Sequence, residues 1–480
     1  MPISRRQVLA TAAKLGAVAI LPQGCSREAE AGAAPRPAGP LRLGMNLSPL
    51  NYWTPGPPHL DWTREGSEWR PGNGYLTRML PLPPQGEEFL VSWTGRVGRV
   101  RIPRTTTIAQ GSNYLRIKAA PEAASIQTMP MMVYGADVNN PPVVSMVPAK
   151  HVAEWKAGKT WDPTFLEAID GFSVLRFKDW QSTDRLDNPG LPLAECLALA
   201  NDLNVRPWVC IRHTASDAEI RAFLSALSKS RNKPIVEYSN EVWNWSYAQS
   251  KYALAQAKAA WGETGHWQQW YGQRCGEIAK MARGSGYEIV LGTQPANPRL
   301  GAMVWKGVDM SGARNEDFGA WISSFYVTGT LTSTDGPLVD LAARDDIDGA
   351  VANLIGTPSD AENRILSVGG LRKQYAAQAA IAREHGLRLI GYEGNTHLHV
   401  SRFPKEVQEQ LVAFVDTLMH DPRSAKVMEA NLDAWAEAGG EDACIYNMSS
   451  PATRNGFFGV YGTASWDLLK KRVAETRIVT

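Results

Sequence analysis

From about residue 150 onward the chain alternates short apolar runs with longer amphipathic stretches, and this alternation constrains its fold more than any other feature. Runs at 173–177, 206–211, 235–238, 288–291, 320–325, 388–392 and 443–446 read as buried strands. Between them, stretches such as 193–203, 218–228, 249–282, 372–385 and 405–420 have helical spacing. An earlier run beginning at Leu41, LRLGMN, completes a set of eight strands. Strands that alternate with helices predict an α/β fold, and eight such units predict a closed TIM (β/α)8 barrel. A barrel of this kind carries its chemistry where the strands end, at their C-terminal face.

The pattern is interrupted once. After the first strand (41–54), residues 55–147 are rich in Pro, Gly, Trp and Thr and show no helical period. Alternating stretches such as Phe89–Trp93 and Val97–Ile102 carry enough apolar side chains to bury, which predicts a β-sandwich inserted after the first strand. The rest of the barrel then occupies 148–480, and 480 residues suit one large barrel with an added module.

Ahead of the first strand, Arg5 and Arg6 precede a moderately apolar run from Ala10 to Leu21. That run is too short to span a bilayer permanently, and residues 1–25 resemble a twin-arginine export signal. Export predicts a periplasmic, outer-membrane-associated or secreted protein. Cys25, at the end of LPQGC, is a candidate lipid anchor, with conventional cleavage within AEAGAA as the other route. Residues 26–40 read as a linker.

Fifty Lys and Arg against 48 Asp and Glu leave a formal charge of +2, which disfavours nucleic acid as a partner. The five cysteines are scattered without zinc spacing, and His213, His397 and His399 lack a convincing third ligand. No metal and no cofactor is expected. The 17 tryptophans suit a protein that stacks on sugar rings, although indoles also fill cores.

The fourth strand delivers the chemistry. Residues 235–247, IVEYSNEVWNWSY, place Asn240, Glu241 and Trp243 at a strand end, and the seventh strand, RLIGYEGNTHL, ends in Glu393. Retaining glycoside chemistry needs two carboxyl groups, one to protonate the leaving oxygen and one to attack the anomeric carbon. A barrel brings both strand ends to one mouth. Glu237, two residues before Ser239 and on the same strand face as Glu241, reads as a paired structural carboxylate.

With those residues in place, the chain resembles the clan of (β/α)8-barrel retaining glycoside hydrolases that includes cellulases, mannanases and β-galactosidases. In that clan an Asn-Glu pair ends strand four and a Glu ends strand seven. The motifs NLSPLNYW, VLRFKDWQSTD, RPWVCIRH, VEYSNEVWN and GYEGNTHL are similar, in order, to exported bacterial proteins described as cellulose-binding or glycosidase-like. The resemblance implies Glu241 as acid/base and Glu393 as nucleophile. It implies Asn240 as the ligand of the sugar 2-hydroxyl, Arg176 as the cation holding the nucleophile ionised, and Tyr326 as a hydrogen-bond donor to it. His213 would line the cleft, with Trp243, Trp245, Trp180 and Tyr446 as stacking platforms.

The motifs depart from that pattern at Lys178 and Arg212. If both point into the mouth, they favour a uronate-containing polysaccharide. The first expectation is therefore an exported retaining glycosidase acting on a carbohydrate substrate. A non-catalytic carbohydrate-binding protein and a transglycosylase remain as alternatives.

Overall fold

The computed structural model describes residues 40–49, 57–65, 68–81, 85–120, 128–356, 366–450 and 452–479. The export signal, the linker and Cys25 lie outside the described residues. Among the described residues, no helix is long and apolar enough to cross a membrane, and no group of three or more His, Cys, Asp or Glu is placed to hold a metal ion.

The chain enters through β1 (Arg42–Asn46) and then builds two four-stranded antiparallel sheets. One contains β2 (Arg70–Pro71), β3 (Tyr75–Pro81), β5 (Arg99–Arg101) and β8 (Thr128–Tyr134). The other contains β4 (Glu88–Thr94), β6 (Thr105–Gln110), β7 (Tyr114–Ala119) and β9 (Val143–Pro148). In β4 the period of two is clean: Phe89, Val91 and Trp93 are buried, and Leu90 and Ser92 are less so. These side chains share a core with Leu80, Val100, Ile117, Met131 and Met146 from both sheets. The module is tied to the barrel where His59 stacks on Trp161 with centroids 4.4 Å apart, and where Arg64 pairs with Glu195 at 2.7 Å.

Seven further strands complete the barrel: β10 (Val174–Arg176), β11 (Arg206–Ile211), β12 (Ile235–Tyr238), β13 (Glu288–Gly292), β14 (Ala320–Ser323), β15 (Arg388–Gly394) and β16 (Gly440–Ile445). With β1 they close in sequence order, every pair parallel. The fold is a TIM (β/α)8 barrel with the β-sandwich after its first strand. Alternate residues divide between two cores. Leu175, Val209, Val236 and Ile289 pack outward against the helices, whereas Val174, Trp208, Ile235, Val290 and Ile390 fill the interior.

One helix differs from its expected span. Residues 249–282 form two helices, Ala248–Trp261 and Trp267–Met281, rather than one. Gly262 takes φ +71°, a conformation that ends a helix at little cost for glycine, and Gly265 leaves no room for a Cβ against the Ala257 carbonyl.

Candidate active site

Arg176 organises the barrel mouth. As the last residue of a three-residue strand it points inward, and it is fully buried. A guanidinium has five N–H donors, and all five are used. Two reach Glu237 Oε2 at 3.1 and 2.8 Å, and one each reaches Asn240 Oδ1 at 3.0 Å, Asn46 Oδ1 at 3.0 Å and Glu393 Oε1 at 2.6 Å. Burial opposes its charge, but Glu237 and Glu393 outweigh that and push its pKa up. Glu237 also accepts from the Trp208 indole at 2.9 Å, so this carboxylate is spent on holding the arginine.

Glu393, 5% exposed, has both oxygens engaged: Arg176 donates to Oε1 and the Tyr326 hydroxyl donates to Oε2 at 2.9 Å. The glycine that follows is a packing requirement, because a Cβ at Gly394 would lie 2.2 Å from the Phe325 ring. The Phe325 amide in turn donates to the Glu393 carbonyl at 2.8 Å, fixing the strand end beside Tyr326.

Glu241 follows β12 across a strained turn, with Ser239 at φ +65° and Glu241 itself at φ +43°. Left-handed backbone costs a non-glycine residue about 1–2 kcal/mol, and such positions concentrate at functional sites. The Tyr392 hydroxyl donates to its Oε1 at 2.9 Å and Asn244 Nδ2 donates to its Oε2 at 2.9 Å. Burial, then the nearby charge of Glu393, push its pKa up to about 7, against the lowering pull of Asn244, Tyr392 and Lys178. Glu241 is thus set to keep a proton near neutral pH, while Glu393 is engaged by two donors.

A second network lies behind this pair. Asp184 accepts from Gln249 Nε2 at 2.8 Å through Oδ1, and from Asn240 Nδ2 at 3.1 Å and Lys178 Nζ at 3.3 Å through Oδ2. Asn240 is therefore oriented without ambiguity, its oxygen toward Arg176 and its nitrogen toward Asp184. It is 1% exposed, and one N–H of its amide has no acceptor among the described residues. Lys178 pairs with Asp179 at 2.9 Å as well as Asp184, and its ammonium lies 5.4 Å from the Tyr446 ring centroid. Burial opposes that charge, and Asp179, Tyr446 and Asp184 together more than restore it.

The structure therefore gathers Glu241, Glu393, Asn240, Arg176, Tyr326, Lys178 and Tyr446 at one mouth. Three expected residues are placed differently. Trp180 is no platform: it is 2% exposed, its indole donates to the Ser48 carbonyl at 2.8 Å, and its ring packs among Trp161, Phe165 and Phe177. His213 does not line an open cleft but is buried, edge-on to Tyr252 at 5.2 Å, and burial lowers its pKa. Arg212 donates to the carbonyls of Gln181 and Asn188, and it lines a pocket of about 450 Å³ that contains neither carboxyl of the pair. Trp243 is half-buried with no ring partner among the described residues, whereas Trp245 is exposed and leans on Trp267 at 4.6 Å.

Asn46, Tyr392, Asn244, Asp184 and Gln249 were not anticipated from the sequence. Tyr392 and Glu393 are adjacent, and strict alternation forbids both from facing the mouth. The register between β15 and β16 is irregular between Gly391 and Gly394, and this irregularity lets both side chains enter. Asn46 had a readable signal, since it ends β1 as Arg176 ends β10 and pairs with it in register.

No protein-family model matches the chain, and no curated protein matches it in sequence. Solved structures similar to it include a 4-O-α-L-rhamnosyl-β-D-glucuronidase from Fusarium oxysporum 12S, at TM-score 0.38 and 13% identity, covering 64% of this chain and 62% of that one. An endo-β-1,4-mannanase from Thermotoga petrophila gives TM-score 0.33 and 10% identity over 64% and 70% of the two chains. A modular endo-β-1,4-mannanase from Cellulomonas fimi gives 0.32 and 14% over 63% of each. The chain spans less than two thirds of the length of the first and third of these. Likeness at this level assigns no activity, and the barrel stands on its own strand order.

Proposed function

We propose that the chain is a retaining glycoside hydrolase that cleaves β-glycosidic bonds of a poly- or oligosaccharide by double displacement. The observation that supports this best is the divided dressing of the carboxyl pair: Arg176 and Tyr326 donate to Glu393, while burial and the Glu393 charge lift Glu241 to about 7. A retaining mechanism asks for that division. Glu393 attacks the anomeric carbon, and the bond to the leaving oxygen breaks as Glu241 supplies its proton. Once Glu393 is esterified its charge is gone, so the repulsion that raised the Glu241 pKa falls away. Glu241, now a carboxylate, takes a proton from water as that water displaces Glu393. The second N–H of Asn240 and the ammonium of Lys178 are donors for ring hydroxyls, with Tyr446 and Trp243 as apolar walls.

This chemistry invokes no cofactor. A transglycosylase would share the covalent intermediate and pass it to a sugar hydroxyl, and a carbohydrate-binding protein would form none. Export by a twin-arginine signal, with or without a lipid on Cys25, completes the reading and places the substrate outside the cytoplasm. The test is to incubate the mature chain with a panel of activated 2-deoxy-2-fluoro glycosides and map the adduct by peptide mass spectrometry. An ester on Glu393 is expected; an unmodified chain across the panel, or an adduct on another carboxyl, would overturn the assignment.

A further inference from the structure

The charges around the carboxyl pair bear on which sugar fits between them. Among the described residues, the cations paired around the carboxyl pair are Arg176 and Lys178 and the anions are Glu237, Glu393, Asp179 and Asp184, a net charge of −2 for these groups while Glu241 keeps its proton. Among the described residues, Tyr247, Tyr326, Tyr392 and Tyr446 beside this pair are held in their neutral form by burial and neighbouring carboxylates. A cation receives a substrate carboxylate only with donors to spare. Arg176 has none, since its five N–H groups are taken. Lys178 donates to Asp184 at 3.3 Å and ion-pairs with Asp179 at 2.9 Å, so its charge is already balanced by the pair. The other cation expected here, Arg212, is occupied by the Gln181 and Asn188 carbonyls.

We propose that the sugar unit lying between Glu241 and Glu393 is uncharged, and that Asp179 and Asp184 are the specificity-determining residues that exclude a uronate there. Lys178 is their internal counter-ion and offers a remaining N–H to a hydroxyl. The side-chain oxygen Asp179 Oδ2 is buried with no donor among the described residues and Asp179 Oδ1 pairs with Lys178 at 2.9 Å, so an incoming carboxylate would add a like charge beside this pair. Like-charge juxtaposition in a desolvated site is a strong means of rejecting the wrong partner. This inference rests on the barrel mouth being the sugar site, and it goes beyond that reading in naming the substrate class.

The experiment uses the mature chain with polysaccharides matched in linkage and differing only at C6: β-1,4-mannan against β-1,4-mannuronan, and β-1,4-glucan against β-1,4-glucuronan. Both kcat/KM and affinity-gel retardation are measured for the parent, Asp184→Asn and Asp179→Asn. The neutral member should be preferred by about tenfold or more, with each variant narrowing the gap. Asp179→Asn guards against a folding effect of Asp184→Asn, because it disturbs one ion pair and leaves Asn240 and Gln249 their acceptor. Preference for the uronate member by the parent, or a gap unchanged in both variants, would overturn the proposal. Binding that ranks the pairs as expected without turnover would count against the hydrolase reading and leave the charge selection standing.

Discussion

Replacing Glu241 with Gln changes how stability depends on pH, and the change is calculable before any substrate is known. A carboxyl held at about 7 in the fold, rather than its ordinary 4.5, binds its proton more tightly folded than unfolded. The stability this contributes is fully present below pH 4.5 and is lost as pH rises through about 7. The difference of about 2.5, at about 1.36 kcal/mol each, gives on the order of 3 kcal/mol between the two ends of that window. Glutamine has no proton to lose, so the variant keeps what the parent gives up. Urea unfolding of both proteins should therefore show the stability of Glu241→Gln relative to the parent rising by up to about 3 kcal/mol from pH 4 to pH 8. The absolute offset at pH 4 carries the altered hydrogen bonds to Tyr392 and Asn244; the slope isolates the ionisation. A relative stability flat across that range would refute the claim that Glu241 is held protonated by burial and by Glu393.

Other outcomes follow from the same geometry. In the parent, kcat/KM should fall as pH rises through about 7, because the acid that protonates the leaving oxygen is being lost; a plateau to pH 9 would remove Glu241 from that role. Arg176→Met leaves Glu237 and Glu393 buried without their cation and should cost about 3–5 kcal/mol, read as a drop in urea midpoint at neutral pH. Tyr326→Phe removes a hydrogen bond to a carboxylate, worth about 1.5–3 kcal/mol, so kcat should fall by about tenfold or more while the melting temperature moves little.

Much of the fold was legible because a parallel barrel strand is buried on both faces and advertises itself as an apolar run between turn residues. The spans for β11, β12 and the helix Lys405–His420 coincide with those read from the sequence. The single helix over 249–282 was not, because two glycines weighed against a long periodic stretch are ambiguous until one is seen at positive φ. At the site, Arg176 and Glu393 were readable from their strand ends, whereas Asp184 and Asn244, which enter it from loops, were not. Asp184 lies outside every strand, and only the fold shows it gripping Asn240, Gln249 and Lys178. Lys178 was read as favouring a substrate carboxylate if it points into the mouth; its partners are two aspartates close by in its own loop. The resemblance implied Trp180 as a platform, yet its side chain turns into the helix layer, where Trp161 and Phe165 bury it.

The central claim is that Glu241 and Glu393 perform one reaction together. The most direct measurement assays the purified mature chain beside Glu241→Gln and Glu393→Gln against neutral and uronate-containing polysaccharides, with reducing-end and chromatographic readout. Cleavage by the parent that is lost in both variants is the result predicted by double displacement. A polysaccharide that binds parent and variants alike and stays intact would contradict it, and would make the barrel mouth a binding site in place of a catalytic one.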